Sequence, residues 1–156
     1  MSDGGGARVT ARAASLLAAL LLAGCGGGGS SSSAEWSGPP PPSADGTVSV
    51  ESFVAYASKV SADWERSAAM AAAEFLRLDR RAAQGTIITG SASAEGGGPQ
   101  KVVVTLYGLP DDSVRAERWT LSFVPDDGTF RLTSARRAQR CQPGRGHQRF
   151  SAEPCV

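Results

Sequence analysis

The chain has 156 residues, of which 16 are basic and 15 acidic, and its formal net charge is +1. This balance argues against a dedicated nucleic-acid binder, which carries a basic excess. One histidine and three cysteines restrict the available chemistry. The chain also lacks the GxSxG, GxxxxGK and HExxH patterns of familiar hydrolase, nucleotide and zinc sites. The sequence therefore predicts a protein that is not an enzyme and that uses neither a cofactor nor a metal.

Residues 1–24 have the layout of a secretory signal peptide. Arg8 and Arg12 provide a basic start, and residues 13–23, AASLLAALLLA, are uncharged and mostly apolar. Eleven helical residues rise only about 16 Å, which is too short to cross a hydrocarbon core of about 30 Å. A cleaved leader is therefore expected rather than a membrane-spanning anchor.

A single cysteine follows the apolar stretch. Leu22, Ala23 and Gly24 stand directly before Cys25. This order resembles the lipobox of bacterial lipoproteins, and the resemblance implies that the Cys25 thiol receives a diacylglyceryl group and becomes the mature N-terminus. Two acyl chains give durable attachment. We expect a lipid-anchored protein on the extracytoplasmic face of the cell membrane, with an ordinary cleaved signal as the alternative.

Residues 25–48 are predicted to be a flexible linker behind the lipidated cysteine. After Cys25 the segment reads GGGGSSSS, and it continues to Pro39–Pro42, which should form a short polyproline rod. Trp36 lies inside this segment, and a lone aromatic residue in a tether is expected to make no specific contact.

Residues 49–83 contain neither glycine nor proline, and their apolar residues recur at steps of three and four between Phe53 and Leu78. This spacing predicts one long helix with a continuous apolar stripe. A break near Ser67, which would give two helices, is the alternative.

Four segments then carry strand signals, and short loops separate them. Strand-like alternation is clearest in VRAERWTLSFV, where Trp119, Leu121 and Phe123 fall on one face. Short loops, including the Asp-Gly pair in PDDGT, predict an antiparallel meander with the helix packed on its apolar face. The predicted α+β domain spans 49–156, and its strands are 85–94, 100–109, 114–124 and 130–141.

The C-terminal segment contains the two remaining cysteines. Cys141 and Cys155 are predicted to form a disulfide that closes this loop, because an exported protein meets an oxidising compartment. A zinc site formed by both cysteines and His147 is the alternative, although the spacing lacks the close CxxC pairing of such sites. Phe150 is expected to insert the loop into the domain.

Arginine is concentrated near the C-terminus. A solvated strand face explains this concentration simply, and an anion-binding patch is the functional alternative, because guanidinium groups pair well with phosphate. Phospholipid headgroups or an acidic envelope polymer would be the ligands. The candidate residues are Arg136, Arg137, Arg140, Arg145 and His147.

Four segments, DWERS, FLRLD, VTLYGLPDDSVRAERW and RCQPGRGHQRFSAEPC, resemble small envelope lipoproteins of high-G+C Gram-positive bacteria. The order of one helix and four strands resembles the cystatin-like and nuclear-transport-factor-like arrangement, which implies fold alone. We expect a non-enzymatic, membrane-anchored protein that binds an envelope partner or an anionic ligand. The alternative is a small-molecule-binding or catalytic domain with a cavity between helix and sheet.

Overall fold

A computed structural model describes residues 35–92 and 98–156. The predicted signal peptide, the lipobox residues, Cys25 and the glycine–serine part of the linker lie outside the described residues. The model has an α+β fold in which two short helices and a five-stranded antiparallel sheet enclose one core.

The sheet has the spatial order β1-β5-β4-β3-β2, and all neighbouring strands are antiparallel. The sheet is antiparallel but has five strands and not the predicted four, because a two-residue strand is added at one edge. This strand was not predicted because it lies in the segment interpreted as a linker. The strands are β1 (Thr47–Val48), β2 (Gly85–Ser91), β3 (Gln100–Tyr107), β4 (Val114–Asp126) and β5 (Thr129–Cys141).

Alternation along the strands sorts the side chains between two faces, as period-two geometry requires. Trp119, Leu121 and Phe123 are buried on the face that carries the helices. The tight β4–β5 turn uses Asp127 and Gly128, both with positive φ, which matches the Asp-Gly signal. We call the helix-covered side of the sheet the core face and the opposite side the open face.

The predicted long helix is wrong: the segment is broken into two helices with short 3-10 turns. Helix α1 covers Glu51–Val60 and helix α2 covers Ala68–Leu76. Ser61 adopts a left-handed conformation that ends α1, and the Ser67 hydroxyl accepts a hydrogen bond from the Met70 N–H at the start of α2. The interruption therefore includes Ser67, where the alternative interpretation placed it.

Aromatic packing explains why the broken form is favoured. In a continuous helix, Phe53 and Phe75 would lie about 33 Å apart, since each residue adds about 1.5 Å. The two ring centroids are instead 5.2 Å apart, and both side chains are at most 2% exposed. Folding the helices back on each other buries both rings, and the free energy of that burial offsets the lost helical hydrogen bonds.

Trp36 is part of the core, in contrast to its predicted place in a free tether. Its side chain is 7% exposed, and its indole N–H donates to the Phe75 carbonyl at 2.8 Å. Its ring lies 5.2 Å from Phe53 and 5.9 Å from Phe75. Glycine and proline around it suggested a linker, but one large aromatic side chain gains enough by burial to hold the segment in place.

The chain after Trp36 follows the domain and joins the sheet. Residues Thr47–Val48 pair with β5, and the Gly46 carbonyl accepts a hydrogen bond from the Arg137 N–H at 2.8 Å. A Cβ atom at position 46 would lie 2.4 Å from the Arg137 carbonyl oxygen, and φ there is +83°. Only glycine allows this close approach. Residues 35–48 thus form an extension of the domain.

Replacing Trp36 with alanine should lower the free energy of unfolding by about 3–5 kcal/mol, because it leaves a cavity and removes a buried hydrogen bond. Urea denaturation followed by circular dichroism measures the change. Ser37→Ala, at an exposed neighbouring position, is the matched control and should have little effect. Equal stability of the two variants would show that Trp36 is not part of the folded core.

Candidate functional site

Three arginines project from neighbouring strands of the open face. Arg118 lies on β4, and Arg136 and Arg140 lie on β5. The register pairs Thr120 with Arg136 and Ala116 with Arg140, so all three alternate with the core-facing residues. We call Arg118, Arg136 and Arg140 the open-face arginines.

The C-terminal segment brings Phe150 over this group. Ser151 forms a bridge with Gln139 on β5, which holds the neighbouring Phe150 at the sheet. The Arg118 guanidinium carbon lies 3.8 Å from the centre of the Phe150 ring, and that of Arg140 lies 5.4 Å from it. Cation–π attraction therefore holds two guanidinium groups at one aromatic ring.

Counter-charge around the open-face arginines is sparse. Neither Arg118 nor Arg140 has an acidic partner in the described part of the chain, and the buried Arg140 Nε has no hydrogen-bond partner there. Arg136 donates to the Asp45 carbonyl at 2.8 Å and lies 3.8 Å from the Asp45 carboxylate. Two hydrogen bonds from Thr47 lower the pKa of Asp45, so this carboxylate stays ionised.

A groove of about 290 Å³ lies beside these side chains. Arg118, Arg136 and Phe150 line it, together with Thr120 and Ser151, which offer hydroxyl groups. Guanidinium N–H groups, hydroxyls and an aromatic wall together suit a small anion or the charged portion of a larger ligand.

The structure brings together only part of the predicted anion-binding set. Arg136 and Arg140 lie on the open face, whereas Arg137 lies on the core face and Arg145 bonds Asp112 at 3.1 Å. His147 is held inside the C-terminal loop. Arg118 was missed, because it precedes Arg136, the first of the predicted residues, by 18 positions; alternation along β4 was the available signal.

Arg137 belongs to a second charged group on the core face. Glu117 is 4% exposed and accepts hydrogen bonds from Arg81 and Arg137, each at 2.7 Å, and from the Trp119 indole. Both carboxylate oxygens are therefore occupied by protein donors. Because breaking a buried ion pair leaves an uncompensated charge, this network serves the core, and its carboxylate is not available to a substrate.

The predicted pairing of the two C-terminal cysteines agrees with the structure. Cys141 and Cys155 lie at disulfide distance, with Cα atoms 5.4 Å apart. His147 Nδ1 is 2.8 Å from the Arg149 carbonyl and Nε2 is 2.9 Å from the Glu153 carbonyl. Both carbonyls need an N–H donor, which only the protonated imidazole supplies at both nitrogens. These bonds, that to Glu153 first, raise the pKa of His147.

The same three side chains lie within 4.8 Å of one another, as a metal site would require. The arrangement does not suit a metal while the disulfide is closed, since thiolates are needed as ligands and both sulfurs are bonded to each other. Both imidazole nitrogens are also directed at carbonyl oxygens. The geometry is that of a crosslinked loop fastened by a histidine.

The space between helices and sheet holds aromatic side chains. Trp36, Phe53, Phe75 and Trp119 are all at most 7% exposed and form successive ring contacts. At the margin, a pocket of about 130 Å³ lies between α1 and the β4–β5 hairpin. It is smaller than the several hundred cubic ångströms typical of sites for drug-sized ligands.

Comparison with protein-family models, curated proteins and solved structures finds no match for this chain. Among residues 35–92 and 98–156, no helix has both the length and the apolar character needed to span a bilayer.

Loss of the His147 proton should loosen the C-terminal loop. The protonated imidazole stabilises the folded state, because the pKa of His147 is higher in the folded state than in the unfolded state. This stabilisation is complete below the unfolded-state pKa, near 6.5, and is lost as pH rises through the folded-state pKa. The stability difference between the wild type and His147→Asn should therefore shrink from about pH 5.5 to about pH 8.5. Urea denaturation across this range, without reductant, tests it. A stability difference that does not change with pH would contradict the two hydrogen bonds from the protonated imidazole to the carbonyls of Arg149 and Glu153.

Proposed function

We propose that this protein is a lipid-anchored, non-enzymatic envelope protein that binds a phosphate-bearing ligand on the open face of its sheet. The lipobox-like order of Leu22, Ala23, Gly24 and Cys25 supports the anchor. The open-face arginines support the binding function, and they are described directly by the structure.

One observation carries the binding proposal: Arg118 and Arg140 are held against Phe150 without an acidic partner in the described residues. Most other arginines of the described residues are paired, as Arg137 is with Glu117 and Arg145 with Asp112. Arg115 and Arg149 also lack an acidic partner there, but neither lies over an aromatic ring. Two guanidinium groups fixed at one ring have already lost side-chain freedom, so an anion binding there meets a preorganised site. Their N–H groups match the oxygen spacing of a phosphate.

The competing proposal, a cavity for a small molecule between helices and sheet, has less support. Its space is filled by Phe53, Phe75 and Trp119, each at most 2% exposed. The groove beside α1 and β5 measures about 420 Å³ and lies at the surface. Its lining comes from α1, the residue before it, and β5, and its one carboxylate, Glu51, accepts a hydrogen bond from the Ser49 hydroxyl and faces no histidine or cysteine in that lining.

The Arg118→Gln, Arg140→Gln double variant should bind phosphate-bearing ligands at least about ten-fold more weakly, because it removes both guanidinium charges and leaves an uncharged polar side chain at each position. The probe is soluble poly(glycerol phosphate), titrated by calorimetry against the full chain carrying Cys25→Ser. Arg131→Gln and Arg145→Gln, at arginines paired with Asp126 and Asp112, are charge-matched controls that should bind normally.

Vesicles distinguish the two sources of phosphate. Retention on vesicles with about 30% phosphatidylglycerol, compared with neutral vesicles, tests whether the ligand is a lipid headgroup. Binding of the soluble polymer tests whether the ligand is an envelope polymer. Both interactions should weaken as the salt concentration rises. Equal weakening of binding by the double variant and by the paired-arginine controls would show that binding depends on net charge and not on the open-face site. Unchanged binding by the double variant would overturn the site.

Mass spectrometry of protein extracted from membranes should show a chain that begins at Cys25 and carries acyl chains. Cys25→Ser should move the protein out of the membrane fraction, because a single substitution removes the atom that bears the lipid. A chain that retains residues 1–24 and a free Cys25 thiol would contradict the anchor and leave the open-face binding proposal intact.

A further inference from the structure

Strand β2 is a free edge with unusual chemistry. It lies at the end of the sheet opposite β1 and pairs only with β3 within the described residues. Its sequence, GTIITGS over Gly85–Ser91, contains no charged residue and no proline. Natural edge strands are commonly protected by lysine, proline, inward charge or a covering segment, because their free N–H and C=O groups can pair with another strand.

Both faces of β2 expose an isoleucine. The register pairs Ile87 with Thr105, on the open face, and Ile88 with Val104, on the core face. Ile87 is 52% exposed and Ile88 is 42% exposed, whereas Val104 on the neighbouring strand is fully buried. The helical layer therefore covers β3 and leaves the core-face side of β2 in solvent. Extending the sheet by one strand would cover both isoleucines.

We infer that β2 pairs with β2 of a second copy, giving a two-fold dimer with one continuous antiparallel sheet. The absence of charge in Gly85–Ser91 favours an identical partner, because self-pairing places no like charges opposite each other. Thr86, Ile87, Ile88 and Thr89 are all β-branched, and such residues pack well across paired strands.

Symmetry restricts the register of this dimer. Residues directly opposite each other in a sheet lie on the same face, so a two-fold axis must pass beside one residue and its own copy. With the axis at Ile88, the two Ile88 side chains meet on the core face and Ile87 lies opposite Thr89 on the open face. With the axis at Ile87, the two Ile87 side chains meet and Ile88 lies opposite Thr86. Each arrangement places isoleucine against isoleucine.

Seven β2 residues pair with the axis at Ile88 and five with the axis at Ile87. Either interface is small, so we expect a weak dimer with a dissociation constant on the order of 0.1 mM. Sedimentation velocity of the full chain carrying Cys25→Ser, from about 10 µM to about 500 µM, should show concentration-dependent dimer formation. Of the single variants Ile87→Lys and Ile88→Lys, the one at the axis should weaken the dimer at least about ten-fold, because its two introduced charges would lie directly opposite each other. Every protein retains residues 1–24, so differences between variants report on the strand.

Val156→Lys is the matched control, since it also replaces an exposed apolar residue, 78% exposed, with lysine. It should leave the dimer unchanged. A second measurement does not depend on lysine being tolerated: of Ile87→Cys and Ile88→Cys, the one at the axis should crosslink between copies on mild oxidation, whereas Ser134→Cys, on β5, should not. Monomer throughout the concentration range, equal weakening by Val156→Lys, or crosslinking of Ser134→Cys equal to that of both β2 variants would overturn the dimer. Retained ligand binding by the Ile88→Lys variant is expected, because the open-face arginines lie on β4 and β5.

Discussion

The packing of Trp36 against Phe53 and Phe75 is the interaction on which the rest of the fold depends. Phe53 comes from α1, Phe75 from α2, and Trp119, which packs on Phe75, from the sheet. These contacts determine the helix break, because a continuous helix would separate the two phenylalanines. They also direct the following segment past the sheet margin, where Thr47–Val48 adds the short edge strand.

Period-two alternation in 100–141 predicted the strands, their antiparallel order and most of the sheet core, since one buried face leaves a direct trace in sequence. The helix break left only a weak trace, the capping residue Ser67, because α1 and α2 both keep three-and-four spacing and the packing of Phe53 on Phe75 decides between one helix and two. Trp36 was missed because its neighbours have linker composition. Its burial depends on residues 17 and 39 positions away, which no local pattern includes.

The arginines show how far charge clustering in sequence predicts charge clustering in space. Arg136 and Arg137 are adjacent in the chain but project to opposite faces, so one reaches the open face and the other completes the buried Glu117 network. Arg118 is distant in sequence but neighbours the cluster through β4–β5 pairing. The C-terminal crosslink and the Gln139–Ser151 bridge then place Phe150 among these side chains. The alternation of side chains along β4 and β5, together with the Cys141–Cys155 crosslink, thus determines which guanidinium groups lie on the same surface.

Docking of Trp36 also fixes how far the domain can travel from an anchoring point. For a protein held by lipid at Cys25, eleven peptide steps separate the anchor from the indole, against twenty-four steps to Ser49. Fully stretched, these segments span about 38 Å and about 84 Å respectively. On the proposed anchor, this shorter tether would keep the domain within the first few nanometres above the lipid surface. A ligand of the proposed open-face site would then have to lie in that thin layer.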